Sequence, residues 1–216
     1  MNDITHVVAV SGGKDSTAMA LRLSEIEPRD YTYICTPTGD EPQEFFDHMR
    51  KVGTILGKPI VPLMHYLGLN GLIAKQKALP NFRQRWCTRM LKIEPFMEWL
   101  RLHTPAISYV GLRADEETRE GGFYEHINGI TQRYPLREWG WEETDVLNYL
   151  EQRNVTIPFR LDCQRCFFQT LYEWHALWEK SPEIYYEAEE QEAFTGHTFR
   201  SPQRDTQPTS LKDLRE

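Results

Sequence analysis

The sequence predicts an α/β protein, a doubly wound and mostly parallel sheet of five strands with a small helical C-terminal appendage. Three observations carry that prediction. Short apolar runs alternate with segments of helical period from Val7 to Arg153, the pattern of a parallel sheet covered on both faces. A glycine-rich turn, Ser11-Gly12-Gly13-Lys14-Asp15-Ser16, joins the first apolar run to the first helical pattern. From about Asn154 the pattern changes, and Cys163-x-x-Cys166 precedes two further helical stretches. The expected division is 1–153 for the α/β domain and 154–216 for the cysteine turn, appendage and tail.

The elements follow in order. Val7 to Val10 is a buried strand, and Met19, Leu23 and Ile26 mark one face of the helix that Pro28 closes. Tyr31 to Cys35 is the second strand. Glu41-Pro42 opens a helix with proline in its first turn and Phe45, Met49, Val52 and Leu56 inward. Pro59 to Met64 is the third strand. Helical segments span about Leu69 to Leu79 and Leu91 to His103. Ile107 to Leu112 is the fourth strand. Ile130 to Leu136 is the fifth, placed at a sheet edge because Pro135 has no N–H for a ladder. A helix from Glu142 to Arg153 turns Val146 and Leu150 inward. Gln169 to Lys180 and Pro182 to Ala193 are the appendage helices. The acidic run Glu183 to Glu192 reads as a solvated face, and the Pro-, Ser-, Thr- and Arg-rich segment from Thr195 reads as a loosely held tail.

The 216 residues, 40% hydrophobic and 26% charged, can bury a core of domain size. A net charge of −7 argues against a general nucleic-acid coat but leaves room for a local basic cleft. The start shows no basic region followed by an apolar stretch, and no run approaches membrane-span length. A cytoplasmic protein with no membrane partner is expected, its oligomeric state open. In that compartment Cys35, Cys87, Cys163 and Cys166 read as metal ligands, redox groups or core thiols. Cys35, inside an apolar strand, reads as a core thiol.

Chemistry concentrates at the first turn. Gly12 and Gly13 let successive backbone N–H groups face one point. Ser16 and Thr17 begin a helix whose first N–H groups are unpaired and whose dipole favours an anion. This is a phosphate cradle at a strand's carboxyl end, where ligands bind in open α/β sheets. Two familiar loops are excluded by spacing: the lysine follows Gly13 directly, unlike G-x-x-x-x-G-K-[ST], and no G-x-G-x-x-G is present. The competing reading, a tight turn that happens to be glycine-rich, explains neither the hydroxyls nor Lys14.

"SGGKDS" resembles the PP-loop of ATP pyrophosphatases, which grip the β- and γ-phosphates of ATP and release them as pyrophosphate. "TPTGDE" (Thr36 to Glu41) follows the second strand. "WCTRMLKIEP" (Trp86 to Pro95) resembles the C-T-x-x-x-K-x-x-P segment of proteins related to phosphoadenosine-phosphosulfate (PAPS) reductase. "GLRADEETR" (Gly111 to Arg119) resembles that family's G-x-R-x-D-E-[ST]-x-R, and "YPLREWGWEETDVLNYL" its P-[IL]-x-x-W-x-x-x-D-V-x-x-Y-[IL] region. The likeness runs in order over about residues 5–166 and implies an adenine nucleotide alpha hydrolase-like fold.

Site roles follow from residue chemistry and that resemblance together. Ser11, Gly12, Gly13, Ser16 and Thr17 cradle the diphosphate, and Lys14 gives it a point charge. Asp15 beside the phosphate would repel it, so Mg²⁺ between them is inferred. Thr36, Thr38 and Gly39 are placed toward ribose or adenine, and Gly111 belongs to the ATP site. Arg113 and Arg119 can hold the α-phosphate or a substrate anion. Asp115 and Glu116 can bind metal or orient the arginines. Alternatively "GLRADEETR" is a solvated helix start. Arg83, Arg85, Arg89 and Lys92 crowd around Cys87. They read either as a solvated helix face or as an anion site for a nucleotide or a nucleic-acid backbone.

Cys163-x-x-Cys166 has ligand spacing, with zinc, iron–sulfur and dithiol redox all open. The resemblance brings Cys87 near this turn. Three thiolates on a [4Fe–4S] cluster would leave one iron to hold external sulfide, which fits sulfur insertion; zinc stands second and plain packing third. PAPS reductases attack sulfur with a cysteine in a C-terminal Glu-Cys-Gly-Leu-His-like motif, whereas Cys166 is the last cysteine here. The paired cysteines of adenylylsulfate reductases are also missing, because Thr88 follows Cys87. The resemblance thus implies an ATP pyrophosphatase that adenylates an oxygen before sulfur replaces it. Its nearest type is the ATP-pyrophosphatase component of DNA phosphorothioation systems, with DNA or another nucleic acid and a sulfur donor such as a cysteine desulfurase as partners. The alternatives are reduction of PAPS or adenylylsulfate by an external thiol, modification of tRNA or a deazaguanine, and non-catalytic nucleotide sensing.

Overall fold

The computed structural model describes residues 4–119, 127–201 and 208–216. Its centre is a five-stranded sheet of order β3-β2-β1-β4-β5, parallel at every pairing. The strands are β1 (Thr5–Ala9), β2 (Tyr31–Cys35), β3 (Ile60–Pro62), β4 (Ala106–Tyr109) and β5 (Ile130–Arg133). Val7 and Val8 on β1 are fully buried, as a strand paired on both sides and covered on both faces requires. Helix α1 (Lys14–Ile26) links β1 to β2, and α2 (Gln43–Leu56) links β2 to β3. The chain then returns through α3 (Gly68–Gln76), a π-helical stretch at Thr88–Ile93 and α4 (Glu94–Leu102) to lay β4 against the opposite side of β1. Strand order therefore reverses between β1 and β4, and an open parallel sheet binds ligands at such a switch point, beyond the strands' carboxyl ends.

The chain forms two compact units that are each discontinuous in sequence. The chain through Thr36, Gln43–Leu63 and Glu94–Leu161 makes up the first. It holds the sheet, α5 (Pro135–Glu138) and α6 (Glu143–Gln152), with a core of Val8, Met19, Leu23, Tyr33, Tyr109, Leu136, Val146 and Leu150 among others. Pro37–Pro42, Met64–Ile93 and the chain from Asp162 make up the second. It holds α3, α7 (Leu171–Lys180), α8 (Pro182–Thr195) and α9 (Leu211–Arg215). Its core is a separate cluster in which Leu72, Leu91, Trp174, Tyr185, Phe199 and Leu211 pack together. The expected cut at 153/154 is a single sequential boundary, whereas these units interleave along the chain.

Several elements differ from expectation for local reasons. Pro135 is not in a strand: β5 stops at Arg133 and Pro135 takes the first position of α5, where a missing N–H costs nothing. β5 is nonetheless an edge strand. The helix expected from Glu41 starts at Gln43, because the Glu41 carboxylate accepts hydrogen bonds from the loop before it. The predicted helix over Leu91–His103 is π-helical to Ile93 before it becomes α-helical. Of the expected loose tail, 202–207 lies outside the described residues. The flanks are packed: Phe199 and Leu211 are buried, and Tyr185 donates its hydroxyl to the Leu211 carbonyl at 2.7 Å. In the acidic run Glu183 and Glu190 are exposed, Glu187 and Glu189 are ion-paired with Arg165 and Arg215, and Glu192 is buried and accepts from the Phe199 and Leu211 N–H groups at 2.8 Å each.

Candidate functional site

At the exit of β1 the chain is held open by hydroxyls. The Ser16 hydroxyl accepts from the Ser11 N–H at 3.0 Å and lies 3.0 Å from the Ser11 hydroxyl. The Thr17 hydroxyl reaches the Gly12 carbonyl at 3.4 Å. Gly12 has φ +88, left-handed backbone that a side chain strains. Gly13 is the N-cap of α1 and offers no side-chain cap, so the first N–H groups of a 13-residue helix remain available to an anion. Gly111, at the exit of β4, is required by proximity. A Cβ there would stand 3.1 Å from the Ser16 backbone. The two loops that flank the switch point therefore touch.

A network of alternating charges fills this corner. Lys14 Nζ is 3.2 Å from Glu143 Oε1 at the start of α6 and 3.8 Å from Asp15 Oδ2. Arg113 donates through Nη1 to Asp15 Oδ2 at 3.0 Å and through Nε to Asp115 Oδ1 at 2.9 Å. The hydrogen bond to Asp115, followed by that to Asp15, raises the Arg113 pKa, and the same guanidinium lowers that of Asp115. Asp15 Oδ1 is buried and has no hydrogen-bond partner among the described residues. The structure thus brings Lys14, Asp15 and Arg113 together around the loop. Arg119 stands apart from them; it donates to Glu116 at 2.8 Å and is mostly exposed. The 111–119 loop is not a helix start: its shape comes from Arg137, whose guanidinium donates to the carbonyls of Arg113, Glu116 and Arg119.

Thr36 follows β2 in the first unit, and Thr38 and Gly39 belong to the second. The Glu41 carboxylate gathers the N–H groups of Thr38, Gly39 and Asp40 and the Thr38 hydroxyl, at 2.7–3.2 Å. Gly39, at φ +82, would place a Cβ 3.4 Å from Gly68 Cα. In the basic stretch, Trp86 and Leu91 anchor the segment in the second unit's core while Arg83, Arg85 and Arg89 are exposed and Lys92 is half-buried. Arg85 lies over the Phe168 ring at 5.4 Å.

Cys35 is a buried core thiol. A hydrogen bond with Cys166, followed by burial, raises the Cys163 pKa well above its ordinary value; burial raises that of Cys87, with the Cys166 charge adding to it. Cys163 thus pairs with Cys166, and the Cys166 charge acts on Cys87. Among the described residues no group of three His, Cys, Asp or Glu is arranged to hold a metal ion.

Residues 5–159 match the phosphoadenosine phosphosulfate reductase domain, well over half of the chain. The chain belongs to this family. The chain is also similar to the uncharacterized protein MJ0973 of Methanocaldococcus jannaschii, 27% identical over 155 residues. That match takes in 67% of this chain but 35% of the relative, so the chain spans about a third of that protein's length. The fold matches a crystal structure of PAPS reductase from Candida auris in complex with phosphate, with TM-score 0.55, 17% identity, and coverage of 72% of this chain and 75% of that one.

Against the family's motifs, sequence reasoning missed five residues. Glu143 pairs with Lys14, yet reads as one more acidic residue at a helix start. Arg137 sits inside the matched "YPLREW" segment with no sign of its backbone targets. Glu41 reads in sequence as a helix opener. Asp40 and Arg165 form a buried ion pair across 125 residues, which no local pattern signals.

Proposed function

We propose that this PAPS reductase-like protein is an ATP pyrophosphatase that adenylates a substrate oxygen in preparation for sulfur insertion. The observation that carries the reading is the cradle at β1: unpaired helix N–H groups, Lys14, and a buried Asp15 oxygen lacking a partner among the described residues. That oxygen also fits magnesium, which takes one or two carboxylates together with substrate phosphates. Bound there, Mg²⁺ would neutralise charge between the carboxylate and the polyphosphate. The remaining work belongs to the chain. The N–H groups of the loop and Lys14 hold the β- and γ-phosphates, and Arg113 faces the α-phosphate. Thr36, Thr38 and Gly39 take the adenosine end. A substrate oxygen forms a bond to the α-phosphorus, the bond from that phosphorus to pyrophosphate breaks, and a sulfur nucleophile later displaces AMP. Alignment and charge stabilisation carry such a reaction without covalent help from the protein.

The acceptor assigned to this reading is a DNA backbone phosphate or another nucleic acid, with Arg83, Arg85, Arg89 and Lys92 as its contact stretch. A cysteine desulfurase would supply sulfur. Cys87, Cys163 and Cys166 have the donor chemistry for a [4Fe–4S] cluster or zinc, but among the described residues no three such ligands are arranged to hold a metal ion, so no step is routed through one. Family membership and the phosphate-bound Candida auris relative favour a second reading, use of PAPS or adenylylsulfate with an external thiol. Incubation with Mg²⁺–ATP and an oligonucleotide, against PAPS with a reduced thioredoxin-type protein, separates them: AMP and pyrophosphate with adenylated oligonucleotide support the first, and sulfite supports the second.

A further inference from the structure

Within the second unit, the 37–42 loop and the cysteine turn are fastened by a buried strap. Asp40 accepts at Oδ2 from the Arg165 N–H at 2.8 Å, and at Oδ1 from Arg165 Nε at 2.8 Å and from its Nη2. The Asp40 carbonyl accepts from the Gln164 N–H at 2.8 Å. Both side chains are almost wholly buried, 2% exposed for Asp40 and 4% for Arg165. Each flank is fixed in turn. Glu41 gathers the loop's N–H groups, Leu69 donates to the Thr38 carbonyl at 2.8 Å, and Arg165 Nη1 reaches Glu187 on α8 at 3.1 Å. The Gln169 amide donates to the Gln164 carbonyl. A buried ion pair is a poor way to gain stability, since apolar residues of like volume do as well, and its best-attested use is to fix one segment in register with another. Here the segments are the loop assigned to adenosine and the turn that carries Cys163 and Cys166.

We propose that Asp40 and Arg165 are positioning residues that make the Cys163–Cys166 turn follow the 37–42 loop, so that a ligand resting on the loop also orders the thiols. Four bonds join two short segments, and each segment is braced on its far side. A shift of the loop must therefore carry the turn with it. The proposal rests on the assignment of Thr38 and Gly39 to the nucleotide.

Hydrogen–deuterium exchange of the full chain with and without Mg²⁺–ATP, read on peptides covering 36–42 and 162–169, tests this. In the native protein ATP slows exchange roughly threefold or more in both peptides. Arg165→Lys keeps the charge but loses the fork, so ATP then slows only 36–42 while calorimetry shows unchanged affinity. A purely structural role would speed exchange in both peptides and leave the ATP-induced ratio intact. Should Arg165→Lys fail to fold, Asp40→Asn gives the same contrast. Slowing confined to 36–42 in the native protein, or slowing of both peptides in the folded variants, overturns the strap. ATP binding without slowing at 36–42 overturns the adenosine assignment, and the strap with it.

Discussion

Lys14 and Glu143 hold one another at 3.2 Å in a corner that a polyphosphate would need. Both are partly exposed, so the pair is worth well under about 1 kcal/mol, and an incoming triphosphate can displace the carboxylate. Glu143→Gln should therefore tighten Mg²⁺–ATP binding by about two- to fivefold, read by calorimetry; weaker binding would mean that Glu143 helps hold the ligand. Lys14→Ala should reduce ATP turnover by roughly a hundredfold or more with the circular dichroism spectrum unchanged. Gly111→Ala puts a methyl 3.1 Å from the Ser16 backbone. It should cost about 1–3 kcal/mol of stability in denaturant unfolding and weaken ATP binding as the cradle is pushed aside. At this scale the sequence was most readable. Lys14, Asp15 and Arg113 lie in contiguous motifs whose residue types state their chemistry. Glu143 and Arg137 were not, because their roles arise from partners that only folding brings near.

The loops are where elements acquire function. A parallel ladder fixes β1 beside β4, and that adjacency alone delivers the 11–16 and 111–119 segments to one place. Alternating apolar and helical runs made the strands and helices legible, to within a few residues at their ends. They misread Pro135, since a proline after a strand and a proline opening a helix look alike until the backbone turns. The Asp40–Arg165 pair was invisible for a different reason. Its partners are separated by most of the chain, and each alone resembles an ordinary surface charge. Asp40→Ala leaves the buried guanidinium of Arg165 with only the half-exposed Glu187 carboxylate beside it and should cost about 3–5 kcal/mol in unfolding experiments. A loss below about 1 kcal/mol would show that the pair is solvated in solution.

Across the whole molecule, two interleaved units carry two separate cores, and the second contains a pH-sensitive carboxylate. Burial pushes the Glu192 pKa up from 4.5 to about 7, so the folded state holds its proton more tightly than the unfolded chain does. Its contribution to stability is fully present below pH 4.5 and is lost as pH rises through 7, a change of roughly 3 kcal/mol at most. Thermal unfolding should show this as a fall in Tm between pH 5 and 8 that Glu192→Gln flattens; an equal slope in the variant would assign the fall to other groups. The central claim concerns which bond of the nucleotide breaks. Phosphorus NMR of Mg²⁺–ATP incubated with the protein and an acceptor reads that bond directly. AMP and pyrophosphate in equal amounts, abolished by Lys14→Ala, is the predicted result, and ADP with inorganic phosphate would contradict it.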